Sequence, residues 1–309
     1  MTDKQILNWL LEGDISIQYQ VHWDLLGSEK RKLQQQIEKT GWGAKFLSKR
    51  KPNGHWGQKF YQPKWTSSHY TILDLKNLGI SKDCRPIKQT LDMVIEEEKA
   101  NDGGILGIGL DKLSDVCVNG MALNYFCYFE TEDNKLKPIV DFVLTQHMKD
   151  GGFNCRSNTK GARHSSLHTT LSVLEGILEY KKNNYTYRLD DLLKAEKQSR
   201  EFIFEHRLFK SDKTGEIIDK KMLNLTYPSR WRYDILRALD YFQLAKVDYD
   251  ERITDAIQIL LKKRTKDNIW KLQANHPGQF HFHMEEVGKP SRWNTLRALR
   301  VLKYFKVSD

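Results

Sequence analysis

Asn101-Asp102-Gly103-Gly104-Ile105 is the stretch on which the fold turns. It separates two apolar, helix-periodic segments, and it recurs. Asp150-Gly151-Gly152-Phe153 has the same setting, as do Gly54-His55-Trp56 upstream and Asn268-Ile269-Trp270 downstream. Trp56, Ile105 and Phe153 are spaced 49 and 48 residues apart (105 − 56 and 153 − 105). Thr214-Gly215-Glu216-Ile217-Ile218 is a degenerate copy, and Pro228-Ser229-Arg230-Trp231 is echoed by Pro290-Ser291-Arg292-Trp293. Self-similarity at so long a period means stacked supersecondary units. Each unit reads helix, glycine–aromatic loop, helix. Glycine lets the chain turn tightly, and the bulky residue after it packs across to the next hairpin.

Outward from these loops, apolar periodicity predicts helices near 3–12, 15–26, 29–39, 67–78, 84–98, 115–128, 135–148, 165–180, 189–206, 229–244, 249–264 and 291–305. Asp14 is a natural cap for the second. The third stops before Gly41-Trp42-Gly43, and a long loop runs from Lys49 to Trp65. No segment has the alternation of a strand. The expectation is an all-α single domain over 1–309, with a repeat region at 41–305 and about six helical hairpins. An open solenoid needs polar caps at both ends. Here the first helices carry apolar faces (Ile6, Trp9, Leu10; Ile17, Val21, Leu25, Leu26), and so does the last (Leu296, Leu299, Leu302, Phe305). Those faces can pair and close a ring.

Apolar content of 39% and charged content of 29% describe an ordinary globular chain. No apolar run approaches the roughly 20 residues of a membrane span. Met1-Thr2-Asp3-Lys4 lacks a basic segment followed by an apolar one, so no secretion signal is read. Four cysteines in 309 residues are no disulfide framework and suit a reducing, cytoplasmic setting. The net charge of +10 fits a solvated basic surface or an anionic partner such as a diphosphate. The basic residues are spread along the chain without an arginine-rich arm, so nucleic acid is not the expected partner.

Two segments carry candidate chemistry. Asp111-Lys112-Leu113-Ser114-Asp115-Val116-Cys117 and Ser166-Leu167-His168-Thr169-Thr170 each follow a Gly-Gly loop and open an apolar helix. Asp115, Cys117 and His168 are residue types that bind zinc. At a helix start the backbone need not be fully helical, so residues two apart can both turn inward. From the residues alone, the favoured reading is Asp115 as an N-cap, Cys117 as a small buried residue and His168 as a hydrogen-bonded histidine.

Arg50-x-x-x-Gly54-x-Trp56, His147-x-x-x-Gly151-x-Phe153 and Arg264-x-x-x-Asn268-x-Trp270 resemble the Q-x-x-x-G-x-W repeats of terpenoid cyclases and protein prenyltransferase β subunits. The glutamine is replaced in every copy. The resemblance implies an α/α toroid, with inner and outer rings of helices around a central cavity. Asp111–Cys117 resembles the N-K-L-V-D-G-C segment of prenyltransferase β subunits, and Leu167-His168-Thr169-Thr170 their Y-H-T-C segment. By that resemblance Asp115, Cys117 and His168 are zinc ligands and Lys112 binds diphosphate. The family's neighbouring arginine falls at Gly109 and its tyrosine at Val118, so neither has a counterpart. The D-x-D-D acid segment of class II cyclases and the D-D-x-x-D diphosphate motif are both missing from the sequence, which disfavours cyclase chemistry. The nearest acidic pair, Asp190-Asp191, lies on an expected outer helix.

The resemblance implies zinc as cofactor and transfer of a prenyl or other apolar group from a diphosphate to a thiol. It also implies a helical partner subunit. The alternatives are a non-catalytic toroid that binds lipid or peptide around a structural zinc, and a zinc-dependent hydrolase. Cys155 is a fourth metal ligand, a nucleophilic thiol or a bystander. Arg156, Lys160 and Arg163 crowd its loop and, with Lys112, can hold an anion. Trp56, Trp65, Phe153, Trp231 and Trp293 either line an apolar cavity or pack the repeats. His276, His281 and His283 form a second histidine group. Arg230 and Arg292 read as structural, either bonding a loop carbonyl or pairing with an acidic loop residue.

Overall fold

The computed structural model describes residues 1–107 and 113–307. Among these the chain is all-α, as the periodicity implied, with isolated bridges in place of strands. Its helices are α1 (Asp3–Leu11), α2 (Ile15–Gln20), α3 (Arg31–Gln36), α4 (Gly41–Leu47), α5 (Ser68–Asn77), α6 (Arg85–Glu97), α7 (Val116–Tyr128), α8 (Asp133–Thr145), α9 (Ser157–Lys160), α10 (Leu167–Lys182), α11 (Leu189–Glu205), α12 (Ile235–Leu244), α13 (Thr254–Lys262) and α14 (Arg292–Tyr304). A π-helical turn, Val21–Leu25, extends α2. The contacts divide the chain into two compact units. One is Met1–Lys49, Asn77–Ser81 and Phe204–Asp309; the other is Arg50–Lys76 and Lys82–Ile203.

Several helix boundaries differ from the expectation, and two of the differences have a clear physical reason. The first is α4, in a stretch where no helix was expected. Its cap comes from elsewhere: Asp14 accepts the Trp42 N–H at 2.8 Å while capping α2 through Ser16 at 3.0 Å. One carboxylate thus satisfies two helix starts, a saving invisible in local sequence. The second is α12, which begins at Ile235 and not near 229. Asp234 is its N-cap and accepts the Arg237 N–H at 2.8 Å.

The second unit holds α6–α10 and most of α5 and α11, and its loops share one construction. Lys51, Ala100 and Met148 donate their backbone N–H to the carbonyls of His55, Gly104 and Gly152, at 2.8, 2.8 and 3.0 Å. Within each turn one residue has positive φ: Gly54 (+85°), Gly103 (+90°) and Gly151 (+91°). The bulky residue then offers its N–H to a side chain of the following helix. Trp56 bonds Ser68 (3.0 Å), Ile105 bonds Asn119 (2.7 Å), and Phe153 bonds Thr170 (3.0 Å). The second glycine of each pair has a separate reason. A Cβ at Gly104 would lie 2.5 Å from Ser114 Oγ, and one at Gly152 would lie 2.7 Å from Ser165 Cβ. Those serines are bound by the loop aspartates: Asp102 accepts Ser114 N–H and Oγ–H (2.8 and 2.7 Å), and Asp150 accepts the same pair from Ser165 (2.7 and 2.5 Å). The result fixes the starts of α7 and α10. These two helices then touch backbone to backbone, since a Cβ at Gly120 would meet Val173 Cα at 2.8 Å.

The first unit repeats the turn at Thr265–Ile269 (2.9 Å), with Asn268 at φ +60°, and the Trp270 N–H bonds Thr295 of α14 at 3.0 Å. Here the terminal helices meet. Arg292 bonds the Trp9 carbonyl at 2.8 Å with its guanidinium over the Trp9 ring, and Lys303 bonds the Leu25 carbonyl at 2.8 Å. Arg300 reaches Asp24 at 2.8 Å and also bonds Asp240 of α12, which Arg297 joins at 3.1 Å. Burial pushes the Asp240 carboxyl up. Arg300 and Arg297 more than offset this and hold it below the ordinary carboxylate value.

Candidate active site

Asp115 is the N-cap residue of α7, in extended backbone (φ −76°, ψ 125°), and its side chain makes no capping bond. Its carbonyl is held by Asn119 Nδ2 at 2.9 Å. Cys117, at the second helical position, and Cys155, on the loop before α9, are both half-buried. The fold brings them together across 38 residues: Cys155 Sγ accepts the Cys117 N–H at 3.0 Å. Thr169 fixes the other side, accepting the Cys155 N–H at 3.2 Å and donating its hydroxyl to Cys155 Sγ at 3.4 Å. Asn158, on α9, donates to the Ser114 carbonyl at 2.8 Å and ties the loop to the α7 start.

The mutual influence of the two thiols shifts their pKa values in opposite directions. The bond from the Cys117 thiol lowers the pKa of Cys155, against burial, with help from the Thr169 hydroxyl and the Cys117 N–H. The same bond, then burial, the Cys155 charge and Asp115, raises Cys117. A sulfur resting on the first N–H groups of a helix is the setting of reactive cysteines.

A polar aromatic layer adjoins the pair. Tyr61 is shifted up by burial first and then by the charges of Cys117, Asp115 and Cys155. Its hydroxyl bonds that of Tyr70 at 2.9 Å. His69 is fully buried and its Nδ1 bonds the Tyr125 hydroxyl at 3.0 Å. Burial, reinforced by Lys64, pushes His69 down to about 3, so the imidazole is neutral. Lys64 lies 4.9 Å over the Trp65 ring. None of Tyr61, Tyr70, His69 or Thr169 carries a sequence signal; only the repeat register, which aligns Thr170 with Asn119 and Ser68, hints that its neighbour Thr169 faces this loop.

His168 opens the first turn of α10, half-buried, beside Thr169. Asp115, Cys117, Cys155 and His168 supply the oxygen, sulfur and nitrogen donors that zinc prefers. Their fit to the metal is partial. Two sulfurs converge, but among the described residues no group of three or more His, Cys, Asp and Glu side chains stands where it could hold a metal ion. Lys112 lies outside the described residues. Arg156, Lys160, Arg163 and His164 are exposed.

Trp56 and Phe153 are fully buried in the packing of their repeats. Trp65 is half-buried. In the first unit Trp231 is half-buried, and Trp293 is buried with its ring 4.6 Å from that of Tyr227. Arg230 bonds the Gln279 carbonyl at 2.9 Å, matching the carbonyl bond of Arg292. The three histidines of the second group go separate ways. His276 bonds Thr226, His281 packs edge-on against Phe46, and His283 contacts Asn275. Glu285 binds Ser291 and the Trp293 N–H at the start of α14.

No family model matches the chain, and no curated protein matches it. Among solved structures, it is similar to a variant of the type II terpene cyclase MstE from Scytonema, in complex with the product merosterolic acid A. The identity is 13%, 98% of each chain is covered, and the TM-score is 0.39.

Proposed function

We propose that the chain is a prenyltransferase-like enzyme whose reactive centre is the sulfur pair at the start of α7. In this reading Asp115, Cys117 and His168 bind zinc, with Cys155 as a further sulfur beside them. Lys112, Arg156 and Arg163 hold the anionic end of an apolar diphosphate, and a thiol receives its apolar group. The observation that supports this most is the 3.0 Å contact of Cys155 Sγ with the Cys117 N–H. It joins the donors of two segments far apart in sequence. When bound, zinc would hold a thiol as its nucleophilic thiolate at neutral pH. The chain's own part is to seat Cys155 on the helix N-terminus and to orient it through Thr169.

The same contact also favours a second reading. Cys155 as a fourth ligand closes the site, and closed four-ligand zinc sites are structural. The protein would then bind a lipid or peptide without catalysis.

Titration with a prenyl diphosphate, followed by tryptophan fluorescence, separates the two. The transferase reading expects saturable binding that Arg156→Ala with Arg163→Ala weakens severalfold and that rising salt reduces, as expected for exposed charges. Zinc-loaded protein that binds no prenyl diphosphate at any concentration supports the structural reading instead.

A further inference from the structure

Cys84 and Cys127 are buried, at 1% and 0% exposure, whereas Cys117 and Cys155 are half-buried. Both sulfurs of this pair lie close to one backbone nitrogen. Cys155 Sγ is 3.0 Å from Cys117 N, and Cys117 carries its own sulfur on the same residue. The thiols are already hydrogen-bond partners. Rotation about χ1 moves a cysteine sulfur between staggered positions at little cost. Cys155 sits on a loop, between Asn154 and the exposed Arg156. Disulfide geometry demands sulfurs about 2.05 Å and Cβ carbons about 3.8 Å apart, so the two thiols must close in from their present contact.

We infer that Cys117 and Cys155 are a modification site, forming a reversible disulfide with each other when the protein meets a peroxide. The step balances with hydrogen peroxide as oxidant. One thiol sulfur attacks a peroxide oxygen; the O–O bond breaks, leaving a sulfenic acid and one water. The second sulfur attacks the sulfenic sulfur and the S–S bond forms. The hydroxyl leaves with the second thiol's proton as another water. Two sulfurs each give up one electron, and the peroxide takes both. A dithiol reductant reverses the bond by exchange. The disulfide removes both sulfurs from any further chemistry and links the start of α7 to the loop before α9. Its effect on metal binding rests on the zinc reading above; the disulfide itself does not.

The test uses the full chain, reduced and treated with a chelator, then exposed to a modest excess of hydrogen peroxide. Non-reducing peptide mapping should show the Cys117 and Cys155 peptides joined, two hydrogens lighter than their sum, and the thiol count should fall by two. Dithiothreitol should restore both. Cys117→Ser and Cys155→Ser should each abolish the joined peptide. In parallel, zinc uptake is measured before oxidation, after it and after re-reduction. Loss and recovery of uptake supports both readings. A joined peptide in protein that takes up no zinc even when reduced leaves the disulfide standing and sinks the zinc site. Cysteines that stay reduced, or that oxidise singly to sulfinic acid without joining, overturn the disulfide whatever the zinc result.

Discussion

At the scale of single residues, His69 and Thr169 carry consequences that no local motif announces. His69 is neutral because burial, then Lys64, pushes it from its ordinary value down to about 3. A base whose folded pKa is lowered binds fewer protons folded than unfolded. Its stabilising contribution is therefore complete above the unfolded value near 6.5 and is lost as pH falls from there towards 3. Stability of the wild type should decline across that window, and His69→Gln should flatten the decline; an unchanged slope in urea melts at successive pH values would contradict the assignment. Thr169 bonds both the N–H and the sulfur of Cys155. Thr169→Val keeps its shape and removes both bonds. Thiol alkylation rates, profiled against pH, should shift to higher pH at Cys155, while alkylation at Cys117 stays slow. An unaltered Cys155 profile would show that Thr169 does not tune the thiol.

At the scale of elements, the repeat owes its shape to a clasp that recurs in four loops. Phe153 offers its N–H to Thr170 as Trp56 does to Ser68, Ile105 to Asn119 and Trp270 to Thr295. Thr170→Val leaves a buried N–H without its acceptor. The expected cost is about 1–3 kcal/mol, read as a lower midpoint in chemical denaturation. Ser68, Asn119, Thr170 and Thr295 span three residue types with no shared local motif, so the glycine–aromatic loops were legible in the sequence while the partners that close them were not. The apolar periodicity marked α7 and α10 well, since both are buried along much of their length. It failed at α4, whose start depends on Asp14, a residue 28 positions away in sequence. It also failed at the start of α12, where Asp234 overrides the apparent continuity from Pro228. Caps supplied from a distance leave no periodic trace.

At the scale of the whole molecule, the apolar faces of the first and last helices implied that the chain's two ends would meet, and within the first unit they do. The charge network that seals them was not legible. Asp240, Arg297, Arg300 and Asp24 come from three separate stretches and are nearly fully buried. Asp240→Asn leaves two buried guanidinium groups short of a countercharge, at a cost of about 3–5 kcal/mol. Because the folded pKa of Asp240 is depressed, its contribution is present above the unfolded value near 3.9 and disappears as pH falls through the folded one. The variant should therefore be destabilised at neutral pH and approach the wild type in strong acid; an equal deficit at all pH values would rule out the ionic account.

The candidate centre itself was half legible. Asp115, Cys117 and His168 stand out through their segments, but the meeting of Cys155 with Cys117 depends on the α7–α10 contact that Gly120 permits. The most direct test of this centre is zinc stoichiometry by elemental analysis of purified chain, beside Asp115→Ala, Cys117→Ser and His168→Ala. The account predicts zinc bound at about one per chain in the wild type and lost from all three folded variants, as expected when a ligand is removed from a small donor set. Zinc retained undiminished in all three, or a well-folded wild type that takes up none, would contradict it.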